Sequence, residues 1–108
     1  MILGTQGNNL EIAGSVNYEA NEAALAAILA EWSSSDSYAV RVGRLDGVIG
    51  GGLNGSWLLD ADTIAHGTSD DYLFGGIGQN SYFARQTGPL LARDYIFGQK
   101  PSERITSI

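Results

Sequence analysis

Aspartate or asparagine recurs every nine residues in the middle of the chain, and a short apolar segment follows each time. Asp62, Asp71 and Asn80 begin the three units, and a glycine-rich turn precedes the last of them. Glycine allows a turn backbone to adopt positive φ and to approach a cation closely, and carboxylates are hard oxygen ligands that suit calcium. The spacing therefore predicts calcium-binding turns joined by short strands.

The same unit returns on both sides of this central stretch. Asn9 precedes the apolar segment Leu10–Ile12, and Asp94 precedes Tyr95–Phe97. Asp and Asn are also ordinary turn residues, because their side chains hydrogen-bond nearby backbone groups. Calcium ligation and turn formation without a metal are therefore both open for these positions.

The composition limits the class of protein. A chain of 108 residues has room for one domain with a small core, which we assign to residues 1–108. Its 15 glycines against 2 prolines favour many tight turns over a helical bundle. Twelve acidic against six basic residues give a formal charge of −6, which disfavours binding to nucleic acid. The lack of cysteine excludes disulfides and thiolate metal sites.

The N-terminal sequence shows no signal peptide, because a basic start and a long apolar stretch are both missing. No apolar run is long enough to cross a membrane, so we expect no membrane insertion. Three settings fit these observations: a cytosolic domain, a protein exported through another signal, or a fragment of a longer chain.

The apolar period changes from two to 3.6 residues between Asn17 and Trp32, where an apolar stripe and many alanines predict a helix. The serines 33–35 should end it, and a second, shorter helix should run through Leu45. We therefore divide the chain into a first turn with its strands (1–16), a helical insertion (17–46), a glycine-rich connection (47–56), and further strands including a C-terminal one (57–108).

Four stretches of the chain resemble the C-terminal module of hemolysin-type calcium-binding (RTX) proteins, which are large secreted and surface proteins of bacteria. They are Gly4–Ile12, Asn21–Trp32, Gly51–Gly55 and Asp70–Gly76. The resemblance implies a parallel β-roll, export by type I secretion and stabilisation by calcium. It also implies a secreted or cell-surface location without an N-terminal signal peptide.

The resemblance further implies which residues share a cation, because successive turns of a β-roll lie on alternate sides. Asp62 would pair with the turn that ends at Asn80, and Asp71 with the turn that ends near Asp94. We expect at most one or two weak calcium sites, since Asn80 lacks the negative charge of the usual aspartate. The candidate metal-site residues are Asp62, Asp71, Gly75, Gly76, Gly78, Asn80 and Asp94.

Two further patterns suggest other chemistry. His66, the only histidine, lies near Asp62 and Asp71 in sequence, where a general-base or metal role is conceivable. It occupies a position where the repeat has a turn glycine, so we interpret it as a solvated turn residue. The stretch 50–55 matches G-x-G-x-x-G, but a strand-like segment follows instead of a helix, which argues against dinucleotide binding. We therefore expect no enzyme.

The sequence as a whole predicts a mainly β fold: a short, irregular parallel β-roll or β-solenoid with an inserted two-helix segment. An irregular antiparallel β-sandwich with helices is the alternative fold. The predicted function is a non-catalytic, secreted or cell-surface structural module stabilised by calcium.

Two alternative functions involve partners. Copies could stack head-to-tail into an extracellular filament, because both ends of the chain are strand-like and unpaired edges add further strands. The chain could instead bind surface glycans through aromatic side chains of its strands, among them Tyr72, Phe74, Tyr95 and Phe97.

Overall fold

The computed structural model describes residues 1–5, 7–66, 71–86 and 93–108; Asp70, in one of the stretches that carry the resemblance, lies outside them. The described residues form one four-stranded sheet, two two-stranded sheets and two helices. In chain order the elements are β1 (Ile2–Thr5), β2 (Asn8–Ile12), β3 (Gly14–Val16), α1 (Glu22–Trp32), α2 (Tyr38–Asp46), β4 (Ile64–His66), β5 (Tyr72–Phe74), β6 (Ser81–Ala84), β7 (Tyr95–Phe97) and β8 (Arg104–Ser107). The large sheet has the order β1-β2-β6-β8, and the small sheets are β3-β4 and β5-β7.

The predicted β-roll is wrong. Strands β4, β5 and β6 follow the nine-residue spacing but lie in three different sheets, so they do not stack on one another. Strand β4 pairs with β3 in antiparallel orientation, β5 pairs with β7, and β6 lies between β2 and β8. The antiparallel sandwich is wrong as well, because β6 is parallel to both of its neighbours and β5 is parallel to β7.

The register of the parallel pairs gives the physical reason. Tyr72 aligns with Tyr95, and Ser81 aligns with Arg104, so both pairs have an offset of 23 residues. The chain passes through the segment 85–94 before it returns beside its earlier strands. The nine-residue spacing therefore marks local turn-and-strand units and does not identify neighbouring strands.

The two helices lie where the apolar period predicted them. Helix α1 begins after Asn21, whose side-chain oxygen accepts a hydrogen bond from the backbone N–H of Ala24 (3.1 Å). Helix α2 begins after Ser37, whose hydroxyl oxygen caps it through the N–H of Val40 (3.4 Å). It ends at Gly47, which has φ of 89° and so adopts the left-handed conformation common at helix ends.

The main core lies between the helices and the four-stranded sheet. Its largest buried side chain is Trp32, whose indole N–H donates to the Asn8 carbonyl (3.0 Å) and whose ring lies 4.7 Å from the Arg41 guanidinium. The other buried members are Leu10, Ile12, Val16, Ile28, Val42, Leu45, Leu59, Ile64 and Phe83. A second, smaller cluster consists of Ala13, Leu73, Tyr82 and Ala84 and joins the large sheet to β5.

Buried polar side chains hold the glycine-rich connection against α1 and α2. Asn54 donates to the carbonyl oxygens of Arg44 (3.1 Å) and Trp57 (2.7 Å). Glu31 of α1 is buried and accepts a hydrogen bond from the backbone N–H of Leu53 (2.9 Å). Residues 57–59 were expected to start a strand, but they belong to none, and β4 begins only at residue 64. The backbone N–H of Leu59 bonds instead to the carbonyl oxygen of Leu45 in α2 (2.8 Å).

Candidate functional site

Polar side chains that precede the parallel strands connect those strands to one another. Asn80 precedes β6, and its side-chain oxygen accepts a hydrogen bond from the backbone N–H of Asn9 in β2 (2.9 Å). Glu103 precedes β8 and accepts from both the backbone N–H (2.7 Å) and the side-chain amide (3.1 Å) of Asn80. We call this row, Asn9, Asn80 and Glu103, the polar ladder. Asn80 thus acts as a bridge between strands.

Glu103 is the most heavily bonded member of the polar ladder. Besides Asn80, it accepts hydrogen bonds from the Tyr82 hydroxyl (3.2 Å) and the backbone N–H of Lys100 (2.7 Å). Burial by itself raises the pKa of Glu103, but these donors favour the charged form, and the net effect is a pKa below its ordinary value. Sequence reasoning missed this residue, because its partner Asn80 lies 23 residues earlier in the chain and no local motif connects the two.

Asp94 forms a second connection, at the start of β7. One of its carboxylate oxygens accepts from the backbone N–H of Asp71 (3.1 Å), and the other from the backbone N–H of Arg85 (2.8 Å). The second oxygen also lies 2.7 Å from Nε2 of His66. The structure therefore brings together Asp71 and Asp94, two of the predicted metal-site residues, and adds His66.

His66 is not the solvated turn residue that we expected. It ends β4, its side chain is only 6% exposed, and its ring packs against the buried carboxylate of Asp94. The interpretation failed because it assigned His66 to a turn of the β-roll, whereas β4 pairs with β3 and carries the ring inward. The partner lies 28 residues further along the chain, beyond the reach of local sequence reasoning.

The other predicted metal-site residues lie apart from this cluster. Asp62 is exposed, and its backbone N–H donates a hydrogen bond to the side-chain carboxylate of Asp60 (2.9 Å). Asp62 and Asn80 precede strands of different sheets. Of the three predicted turn glycines, Gly78 has φ of 87°, Gly75 packs closely against Tyr82, and Gly76 faces open space.

The cluster of His66, Asp71 and Asp94 has the composition of a metal site. One potential ligand atom from each side chain lies within 4.8 Å of the others. His66 and Asp71 also line a cleft of about 580 Å³ that runs along β3, β4 and β5, whereas Asp94 is buried. An imidazole with two carboxylates suits divalent transition ions better than calcium, which prefers oxygen ligands alone.

Aromatic side chains on β5 and β7 form a separate feature, which we call the aromatic ladder: Tyr72, Phe74, Tyr95 and Phe97. The rings of Tyr72 and Tyr95 stack with centroids 5.3 Å apart and planes inclined by 17°. Those of Phe74 and Phe97 stack at 5.3 Å and 19°. Tyr72, Phe74 and Phe97 are exposed, so the ladder is an apolar surface.

Another buried acid, Glu11 of β2, lies near Glu103 and has no compensating cation among the described residues that affect its titration. Burial raises the pKa of Glu11; a hydrogen bond from the Phe74 backbone offsets part of this effect, and the charge of Glu103 adds to it. One Glu11 carboxylate oxygen is buried without a described hydrogen-bond partner. The charged form of Glu11 is therefore unfavourable in the folded state.

Replacing Glu11 by glutamine should raise the free energy of unfolding at pH 7 by about 1 kcal/mol, because the buried charge is removed. The folded-state pKa lies above the ordinary 4.5, so folded wild-type protein takes up the proton first as the pH falls. The advantage of Glu11→Gln should therefore shrink from pH 7 towards pH 4.5. Urea unfolding of both proteins between pH 7 and pH 4.5 measures this stability difference, and the exposed Glu19→Gln is the control. A stability difference that stays constant over this pH range would contradict a raised pKa of Glu11.

Comparisons with protein-family models, with curated proteins and with solved structures found no match to this chain. The resemblance to the RTX module therefore stays a prediction. Among the described residues, no helix is long and apolar enough to cross a membrane.

Proposed function

We propose that the chain is a non-catalytic structural module that associates with further copies of itself through the aromatic ladder. The observation that supports this most is the exposure of three stacked aromatic rings on a sheet of only two strands. Contiguous exposed apolar surface on a small protein commonly marks an interaction site. The secreted or cell-surface setting and the calcium stabilisation are predictions from the RTX resemblance.

The strand edges beneath the rings support association between copies. Strands β5 and β7 each have a single hydrogen-bonded neighbour, so each has a second edge that no described strand covers. Strand β8 is likewise an edge strand of the large sheet, because β6 is its single described neighbour. Uncovered edges pair readily with strands of another molecule. A second copy would extend both the backbone pairing and the ring stack.

The orientation of the rings favours a second copy over a glycan. The two rings of each cross-strand pair turn one face towards each other, with centroids 5.3 Å apart. A sugar ring packs against an exposed aromatic face, whereas a further aromatic ring continues a stack. One face of each ring is therefore already occupied by its cross-strand partner.

The non-catalytic part of the proposal rests on the lack of an activated nucleophile. The sequence contains no cysteine and no G-x-S-x-G elbow. Asp94 holds the one imidazole in a hydrogen bond, and both of its carboxylate oxygens also accept backbone N–H groups. These bonds give the pair a structural role in joining β4, β5 and β7.

Self-association predicts a mass that depends on concentration. Sedimentation of the wild-type protein should show species above the 11.4 kDa monomer as concentration rises. Phe74→Ser should weaken this association by about tenfold, equivalent to 1.4 kcal/mol, because Phe74 is 66% exposed and stacks on Phe97. Circular dichroism of the variant checks that the fold is retained.

A matched control uses an exposed apolar residue outside the ladder. Leu53, in the glycine-rich connection, is 63% exposed, and Leu53→Ser should associate like the wild type. A protein that sediments only as an 11.4 kDa monomer at high concentration would refute self-association. Binding on a glycan array that Phe74→Ser removes would replace the proposal by glycan recognition.

A further inference from the structure

We infer that His66 and Asp71 form a binding site for a divalent transition ion such as zinc, and that Asp94 holds the His66 ring in position for it. One potential ligand atom from each of the three side chains lies within 4.8 Å of the others, and His66 and Asp71 line the cleft along β3, β4 and β5. The site is separate from the polar ladder, and it does not depend on association between copies.

The hydrogen bonds of Asp94 determine which nitrogen of His66 is free. Asp94 already accepts N–H groups from the backbone of Asp71 and Arg85, so its charged carboxylate acts as an acceptor on every side. The contact of 2.7 Å with Nε2 therefore places the imidazole proton on Nε2. Nδ1 keeps a lone pair in the neutral ring. This is the arrangement of metal-binding histidines, whose second nitrogen donates to a carboxylate.

The free nitrogen has no other described role. Nδ1 is buried, and no described residue forms a hydrogen bond with it. The imidazole as a whole is more than nine-tenths buried, with 6% of its side chain exposed. A buried acceptor without a donor costs about 1–3 kcal/mol. A bound cation would satisfy this lone pair.

Asp71 supplies a carboxylate to the same cluster, with an oxygen within 4.8 Å of an imidazole nitrogen of His66. Its backbone N–H and carbonyl are both used, by Asp94 and by Tyr95, but no described residue bonds its carboxylate. Asp71 and His66 both line the cleft, through which an ion and its remaining water ligands can enter. A site with one nitrogen ligand and one carboxylate ligand favours zinc, cobalt, nickel or copper over calcium, and water can fill the remaining coordination positions of the ion.

Because His66 is the only histidine, its ring resonances can be followed by NMR without ambiguity. Zinc added to the tag-free protein should shift the Nδ1 nitrogen resonance, while Nε2 keeps its bound proton. Calcium at the same concentration should leave both unchanged. Titration calorimetry measures the zinc affinity in parallel, and cobalt should give visible absorption bands from nitrogen and oxygen ligation.

Three variants assign the roles. Asp71→Asn should lower the zinc affinity by at least about tenfold while leaving the fold intact, because its carboxylate has no described partner. Asp94→Asn should lower the affinity by about 10–100-fold through loss of ring positioning. The exposed Asp62→Asn is the control and should bind as the wild type. Unchanged His66 resonances in zinc, an unaltered affinity of Asp71→Asn, or an equal response to calcium would each overturn the assignment.

Discussion

Replacing Glu103 by alanine should lower the free energy of unfolding by about 4 kcal/mol. The change leaves four hydrogen-bond donors without their acceptor: the backbone N–H and side-chain amide of Asn80, the Tyr82 hydroxyl, and the Lys100 N–H. Asn80 and Tyr82 are almost fully buried, and each buried donor left unpaired costs about 1–3 kcal/mol. Urea unfolding monitored by tryptophan fluorescence measures the loss.

Two control variants separate the hydrogen bonds from the charge. Glu103→Gln keeps one acceptor oxygen and should lose about half as much stability as Glu103→Ala. The exposed Glu19→Ala should change stability by less than about 0.5 kcal/mol. If Glu103→Ala were as stable as Glu19→Ala, the polar ladder would not hold β6 and β8 together.

The pH dependence of the free energy of unfolding gives an independent measure of the stabilisation by Glu103. Its pKa is lowered in the folded state, so its stabilising effect is complete above the ordinary value of 4.5 and disappears as the pH falls through the folded-state pKa. The stability difference between wild type and Glu103→Gln should therefore persist from pH 7 to pH 4.5 and shrink only below it. Glu11 behaves in the opposite sense, because burial raises its pKa.

The sequence predicted the features that depend on neighbours along the chain. The helices were recognisable because an apolar stripe with a 3.6-residue period needs no distant partner, and Ile28 and Trp32 do face the core. Asp71, Asn80 and Asp94 do lie directly before strands, as predicted, whereas Asn9 lies within β2. Asp94 and Asn80 use their side chains there to bond backbone groups, as turn residues do.

Strand pairing was not predictable in this way, because it depends on contacts between distant segments. The nine-residue spacing suggested that β4, β5 and β6 were neighbours, but the parallel partners are 23 residues apart. The burial of Glu103, Glu11 and His66 follows from that pairing. Glutamate is seldom buried without partners, so no pattern in the sequence marks Glu11 or Glu103 as interior residues.

The same limitation affected Gly75, Gly76 and Gly78, which we interpreted as turn residues of a calcium site. Gly75 and Gly76 are adjacent in sequence but have different surroundings. A Cβ atom on Gly75 would overlap the Tyr82 hydroxyl oxygen and lie 2.9 Å from the Gly98 carbonyl oxygen, whereas one on Gly76 would meet nothing within 4 Å. Neither residue has positive φ, so the difference between them is steric.

Gly75→Ala should therefore lower the free energy of unfolding by about 3 kcal/mol, because overpacking a closely fitted site costs about 1–3 kcal/mol and Tyr82 cannot move without losing its bond to Glu103. Gly76→Ala should be neutral or stabilising by up to about 1 kcal/mol, since alanine reduces the entropy of the unfolded chain. Urea unfolding of the two variants compares them directly. Equal effects would show that Gly75 does not pack against Tyr82, and the contact between the β5-β7 sheet and the large sheet would then be arranged differently.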